Sequence, residues 1–351
     1  MPAEMKRSYY EDVQPLKGGP ARVWFALLLI LLIAAPFLIK SYYIYVMSLM
    51  AVNVIVALGM NLLVGNTGHI SLGHAGFVAI GAYTSVLLIS GAGVFFPLAL
   101  LAGGLLAAMF GFILGIPALR LEGPYLAIAT LGFGIAVTIT IGRIDLFGGH
   151  MGLIVPKPEI AGIDFSGDRS LYYLVMGIAL LMGFAMRNIL KSRLGRAFHA
   201  VRDSDIAAST LGVNVARYKT LSFAISAFYA GIAGGLWAFV LGFINPGLFS
   251  FVLSILFLAT VVVGGLGTIL GSVLGAVVIT FLNLQAESIQ FVPFIGDALV
   301  WISRNFMSMS GLPNVSWVLT GLILILIVIF EPLGLYGIWI RIKIYWRTWP
   351  F

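Results

Sequence analysis

The sequence predicts an all-α polytopic membrane protein: a helical bundle of about ten transmembrane helices, some of them interrupted, with both termini in the cytoplasm. Three observations carry this reading. Only 9% of the 351 residues are charged, against 61% hydrophobic, and mean hydropathy is +1.08, whereas an ordinary soluble domain carries about 25% charged residues. The charges are separated by long charge-free intervals. Basic residues concentrate in alternate segments between those intervals.

The intervals give the span count, because an Asp, Lys or Arg at a helix centre costs roughly 2.5–3.5 kcal/mol on insertion into a membrane. Val23 to Ile39 is a first charge-free run of 17 residues. It is read as a retained helix rather than a signal peptide, being longer than the usual apolar core and lacking an A-x-A site. The 79 residues between Lys40 and Arg120 hold three passes at about 20 residues each. Glu122 to Arg143 encloses 20, Arg169 to Arg187 encloses 17, Lys219 to Glu287 encloses 67 and Arg304 to Glu331 encloses 26. These are assigned one, one, three and one spans. The expected organisation is a cytoplasmic tail over 1–22, a membrane domain over 23–340 with a cytoplasmic loop at 187–219, and a second tail over 341–351.

Ten spans put both termini on one side. An inside N-terminus places fifteen Lys and Arg in the inner segments and five in the outer ones, namely Lys40, Arg143, Lys157, Arg169 and Arg304. The positive-inside rule selects this orientation, and it accounts for the net charge of +7 without a nucleic-acid partner. Trp24, Tyr42, Tyr43, Tyr172, Tyr173, Trp317, Trp339 and Trp346 fall near span ends, where amphipathic rings anchor at the headgroups. The outer segment Ile144–Ser170 is expected to be irregular or a short helix, and Asp297–Met307 an amphipathic interfacial helix.

Glycines spaced by four, Gly111 and Gly115, Gly231 and Gly235, then Gly267, Gly271 and Gly275, present flat helix faces for close packing in lipid. Two stretches are read as interrupted helices. Leu63–Gly76, LVGNTGHISLGHAG, sets four glycines and several polar residues in apolar sequence, and Val263–Gly271, VGGLGTILG, repeats the theme. Irregular backbone survives at membrane depth only where it is buried in protein or lines a cavity. Half-helix N-termini can face an anionic group near the midplane, so the first stretch is either a carboxylate seat or a packing turn. Asn61, Asn66, Thr67, Ser71, Tyr125 and Thr130 supply neutral hydrogen-bond partners between apolar walls and are the expected lining of a translocation path.

Several chemistries are excluded. Without cysteine there is neither a disulfide nor a thiolate site, and G-x-x-x-x-G-K-[ST] and HExxH are missing. The histidines, at 69, 74, 150 and 199, lack companion carboxylates for a metal site, so no catalytic residue, cofactor or metal is assigned. No Asp, Glu, Lys or Arg lies within an expected span, which argues against a proton-coupled carrier. It argues less against a sodium-coupled one.

The longest inner loop, Arg187–Lys219, holds seven basic residues and two acidic ones. Ser204 followed by Asp205 starts a short helix that ends at Gly212. Ile206, Ala207 and Leu211 give it an apolar surface between basic flanks, which is either a protein-docking element or a basic loop serving topology and anionic lipid.

Four segments resemble the branched-chain amino acid permeases of the ABC importer class, and within them the larger sister permease, the LivM type. They are GMNLLVGNTGHISLGHAGFVAIGAY at Gly59–Tyr83, LEGPYLAIATLGFGIAV at Leu121–Val137, SRLGRAFHAVRDSDIAASTLGV at Ser192–Val213 and VVVGGLGTILGSVLGA at Val261–Ala276. The resemblance implies a membrane subunit that hydrolyses no ATP and works with a LivH-type sister permease, two ATP-binding subunits and an external binding protein delivering Leu, Ile or Val in the inner membrane. It also implies that the third segment docks into the ATPase, through Gly195, Arg196, Arg202, Asp203, Ser204, Asp205, Ala207, Ala208, Leu211 and Gly212. On this reading Gly195 turns the chain from the sixth span, Ala207 and Ala208 leave a flat docking surface, and Arg196 and Arg202 pair with partner acids. Leu146-Phe147-Gly148-Gly149 departs from the family pattern by placing Phe147 where a hydroxyl residue is usual. Urea or short-amide permeases share the scaffold and are the alternative reading, together with a self-sufficient secondary carrier.

Overall fold

The computed structural model describes residues 19–121, 123–160, 163–165, 167–288, 321–322, 325, 329–331 and 333–348. Helix α1 (Gly19–Leu38) precedes α2 (Ser41–Asn61), which continues as a π-helical turn over Leu62–Asn66. Then come α3 (His74–Ala92), α4 (Phe96–Gly115), α5 (Pro124–Arg143) and α6 (Asp168–Lys191). Two short helices follow, α7 (Arg193–Asp203) and α8 (Asp205–Thr210). The chain returns to the bundle through α9 (Val215–Leu241), α10 (Phe251–Gly264) and α11 (Ile269–Ser288), and α12 spans Gly334–Thr348.

Among the described residues six helices are long and apolar enough to cross a membrane, and Ala26–Leu38, Phe251–Gly264 and Ile269–Leu284 are shorter apolar helices. Each covers a charge-free interval or part of one, and α5, α6 and α9 extend past theirs to take in charged residues at their ends: Arg143 in α5, Asp168, Arg169, Arg187 and Lys191 in α6, and Arg217 and Lys219 in α9. Most of the interval 305–330 and all of Asp297–Met307 lie outside the described residues.

Helix α9 is the hub, packed along α4, α3 and α2. Leucine offers no advantage over lipid tails in such an interface, so close backbone approach and interhelical hydrogen bonds must hold it. A Cβ on Gly81 would lie 2.1 Å from the carbonyl oxygen of Gly231, and one on Gly111 2.5 Å from the Ala227 methyl. Cross-helix hydrogen bonds add to this: Ser226 Oγ donates to the Gly59 carbonyl at 2.7 Å, Tyr229 to the Met182 carbonyl at 2.9 Å and Asn53 Nδ2 to Thr280 Oγ1 at 2.8 Å.

Chain direction sorts the connections to two ends. One end gathers the α7–α8 pair, the turn Gly265–Thr268 between α10 and α11, and Gly334 at the start of α12, whose Cβ would meet the backbone of Val263–Gly265. The other gathers the loops after α5 and α9. There β1 (Leu153–Ile154) pairs antiparallel with β4 (Phe243–Ile244), and β2 (Glu159–Ile160) with β3 (Ile163–Asp164).

The outer segment is irregular with 3-10 turns over Asp145–Phe147 and Gly149–Met151, as expected, and only the two short strand pairs go beyond that expectation. Two-residue strands carry no periodicity to read; the chain pairs here because Gly152, at φ +82°, passes directly against the Ile244 carbonyl. One expectation is corrected, that for Tyr172. It is buried rather than anchoring at a headgroup, and its hydroxyl donates to the Leu32 carbonyl, fastening α6 to α1. Phe147 packs edge-on against Tyr83. Helix α12 runs without a break through position 340, the expected end of the membrane domain.

Candidate functional site

The first interrupted helix is the least regular part of the bundle interior. After the π turn no helix forms until His74, and Gly68 adopts φ +77°. Freed backbone groups at this depth must find partners. Asn66 Nδ2 donates to the Asn61 carbonyl, and Thr67 Oγ1 and the His69 amide both donate to the Leu63 carbonyl. Farther along, the Leu72 amide donates to Thr130 Oγ1 at 2.9 Å and the Ala75 amide to Ser254 Oγ at 3.0 Å. Thr130 and Ser254 thus seat the start of α3 from two neighbouring helices.

Asn61 braces the other side. Its Oδ1 accepts from the Gly267 amide at 2.8 Å, and its Nδ2 donates to the Thr268 carbonyl at 2.8 Å and to Ser272 Oγ at 2.7 Å. The two interrupted stretches are therefore cross-linked. A Cβ on Gly65 would lie 2.3 Å from the Gly267 amide nitrogen, so the two backbones touch. His74 is buried with Nε2 3.2 Å from Ser226 Oγ. Asn66 Oδ1, His69 Nε2, Ser71 Oγ and His74 Nδ1 are buried without a hydrogen-bond partner among the described residues.

Beside the break lies a groove of about 120 Å³, lined by Leu72 before α3 and Ala75 in its first turn, by Gly134, Ile135 and Thr138 from α5, and by Phe249 before α10 with Phe251 and Ser254 at its start. Its walls are apolar except for hydroxyls. Of the six residues expected along a path, Asn61, Asn66, Thr67, Ser71 and Thr130 are all buried around the interruption, while Tyr125 is 73% exposed at the start of α5. Thr138 and Ser254 were missed. Thr138 immediately follows the distinctive segment ending at Val137, whereas Ser254 carries no local signal.

The α7–α8 pair is built as its sequence dictates at both caps. Ser192 Oγ accepts from the Leu194 amide and starts α7, and Ser204 Oγ accepts from the Ala207 amide at 3.2 Å and starts α8. Gly212 at φ +81° ends it. Two geometric expectations need correction. The turn after α6 falls at Ser192, not Gly195, which lies inside α7 with its Cα against the Leu190 carbonyl; a Cβ there would sit 2.0 Å away. Ala208 is buried against the bundle, so the open surface consists of Ile206, Ala207, Ser209, Thr210 and Leu211, with Ile206 and Leu211 79% and 81% exposed. The pair is latched twice. Asp205 forms an ion pair with the buried Lys219 of α9, and the Arg202 guanidinium donates to the Gly65 carbonyl. Arg196 reaches the Lys191 carbonyl at 3.4 Å, and Asp203 is exposed.

Residues 42–328 match the family described as branched-chain amino acid transport system, permease component. The chain belongs to that family. It is 34% identical over 339 residues to the high-affinity branched-chain amino acid transport system permease protein LivM of Escherichia coli (strain K12), covering 90% of this chain and 74% of that one. LivM of Salmonella typhimurium is 34% identical over 333 residues, covering 88% and 73%. The autoinducer 2 import system permease protein LsrC of Klebsiella pneumoniae is 31% identical over 177 residues, covering 46% and 50%. No solved structure matches. As a transporter permease component, the chain is an integral membrane protein and not itself an enzyme.

Proposed function

We propose that this chain is one membrane-spanning subunit of an ATP-driven importer that carries leucine, isoleucine and valine across a bacterial inner membrane. The observation that carries the reading is the 34% identity to LivM over nine-tenths of the chain, which includes both interrupted stretches and the α7–α8 pair. The match to LsrC, by contrast, covers less than half. A sister permease, two ATP-binding subunits and an external binding protein complete the complex. In this reading the end holding α7–α8 faces the cytoplasm, in keeping with the fifteen-to-five division of basic residues, and ten spans put both termini there.

Transport needs three physical parts, and each has a candidate. An apolar wall beside the interrupted helix, the groove at Leu72, Ile135 and Phe249, suits a branched aliphatic side chain. Neutral polar groups around the break satisfy a zwitterion in passing without holding it: Asn66 Oδ1 and Ser71 Oγ have no partner among the described residues, Asn61, Thr67 and Thr130 exchange the bonds they make at rest, and Tyr125 stands at the inner approach. An exposed apolar surface on α8 gives the ATPase something to grip. Calorimetric titration of the associated binding protein with leucine, isoleucine, valine and urea tests the cargo: micromolar or tighter binding of the aliphatic amino acids supports the reading, and binding of urea alone overturns it.

A further inference from the structure

Three backbone segments meet beneath the interrupted helix, and one side chain reaches into the junction from the cytoplasmic pair. Gly65 at the end of the π turn, Gly68 in the irregular stretch and Gly267 in the α10–α11 turn surround Arg202. A Cβ on Gly267 would lie 3.2 Å from the Arg202 guanidinium and 3.2 Å from the Gly65 carbonyl oxygen, and one on Gly68 3.6 Å from Arg202 Cγ. The guanidinium donates to the Gly65 carbonyl. Helix unwinding has freed that oxygen, and the neighbouring carbonyls of Asn61 and Leu63 are already taken by Asn66, Thr67 and His69.

From these contacts we propose that Arg202 is the positioning residue through which motion of the α7–α8 pair reaches the interrupted helix: it ties that pair to the Gly65–Gly267 junction at the inner end of the path. The chemistry suits the task. Arginine stays charged and carries five donors on a rigid plane, so it bonds a bare carbonyl beside a crowded glycine junction without losing its grip to deprotonation. The second latch, Asp205 to Lys219, fixes α8 to α9. Since α9 packs rigidly on α2 through Gly59 and Ser226, a shift of the pair cannot be absorbed there and is delivered at Arg202. The junction moves as a unit: Asn61 bonds Gly267, Thr268 and Ser272, and Gly65 touches Gly267, so a pull on the Gly65 carbonyl also acts on the α10–α11 turn.

This rests on the proposed docking of α8 to an ATPase, and the experiment separates the two. Arg202→Gln and Arg202→Lys are introduced into the full complex in proteoliposomes with binding protein and leucine. ATPase affinity, ATP hydrolysis and leucine uptake are then measured on the same preparation. Leucine moved per ATP hydrolysed is expected to fall at least about tenfold in Arg202→Gln, a usual size for a coupling free energy, and less in Arg202→Lys. ATPase affinity is expected to stay unchanged, because the guanidinium is bonded inward to Gly65 and not, as the sequence alone suggested, to a partner's acids. A merely structural role lowers both rates together and leaves the ratio intact, which overturns the proposal. Lost ATPase affinity would make Arg202 a docking residue and also overturn it, as would failure of both variants to insert. If docking itself is misassigned, an Ile206→Ser, Leu211→Ser variant keeps full ATPase affinity, an outcome independent of the Arg202 result.

Discussion

Ile206 and Leu211 are the largest apolar side chains on the open surface of α8, and their removal measures what that surface is for. Complete burial of an isoleucine or leucine side chain contributes about 1.5–3 kcal/mol. Roughly four-fifths of each remains open, so nearly all of that contribution is available to a partner. Replacing both with serine should therefore weaken ATPase binding by about 2–4 kcal/mol, or about 30- to 1000-fold in Kd. The permease itself should hardly notice, since exposed substitutions usually change stability by within about 0.5 kcal/mol. Biolayer interferometry between nanodisc-embedded permease pair and purified ATPase, alongside a thermal melt of the permease, reads both quantities. An unchanged Kd with an unchanged melt would refute the docking argument, because no other exposed apolar residue of α8 is large enough to substitute.

The same geometry yields further expectations. Gly81→Val should lower the melting temperature of the permease in detergent far more than Gly91→Val, since the Gly81 Cβ would meet the Gly231 backbone at 2.1 Å whereas nothing lies near Gly91; overpacking of this kind costs about 1–3 kcal/mol or more. Asp205→Asn leaves the buried Lys219 without its counter-ion and should cost up to about 3 kcal/mol, reduced because Asp205 is partly open to solvent; the double variant Asp205→Asn, Lys219→Met should recover part of the loss in the same melt. The absence of native cysteine allows single replacements at Ser71, Thr130, Thr138 and Ser254 to be probed with small polar thiol reagents during turnover. Reaction at Thr138 and Ser254 is expected when the complex cycles, and protection of both in every state would show that the groove is packing and not path.

The residues disclosed the bundle and not its rotations. Charge-free intervals located every apolar helix now described, because the insertion cost of a charge is large and falls on each residue separately. Glycines in LVGNTGHISLGHAG announced the break, and Ser204 and Gly212 announced both ends of α8, because caps and left-handed turns are chemical needs of single positions. Ala208 shows where such reading stops. Which side of a one-and-a-half-turn helix faces the bundle depends on contacts with α9, and two adjacent alanines look alike in sequence. Arg202 was legible as a cation but not as the partner of Gly65, a contact across 137 positions. The groove was invisible for the same reason, being assembled from α5, α10 and the interruption.

Cargo and energy source can be read together from one measurement. The chain is reconstituted with its sister permease, ATP-binding subunits and binding protein in proteoliposomes, and uptake of radiolabelled leucine is followed with ATP, with a non-hydrolysable analogue, and with an imposed sodium or proton gradient. Uptake should require ATP hydrolysis and binding protein, and unlabelled isoleucine and valine should compete it away. Leucine uptake driven by an ion gradient without ATP, or ATP-driven uptake of urea that excludes leucine, would contradict the proposed function.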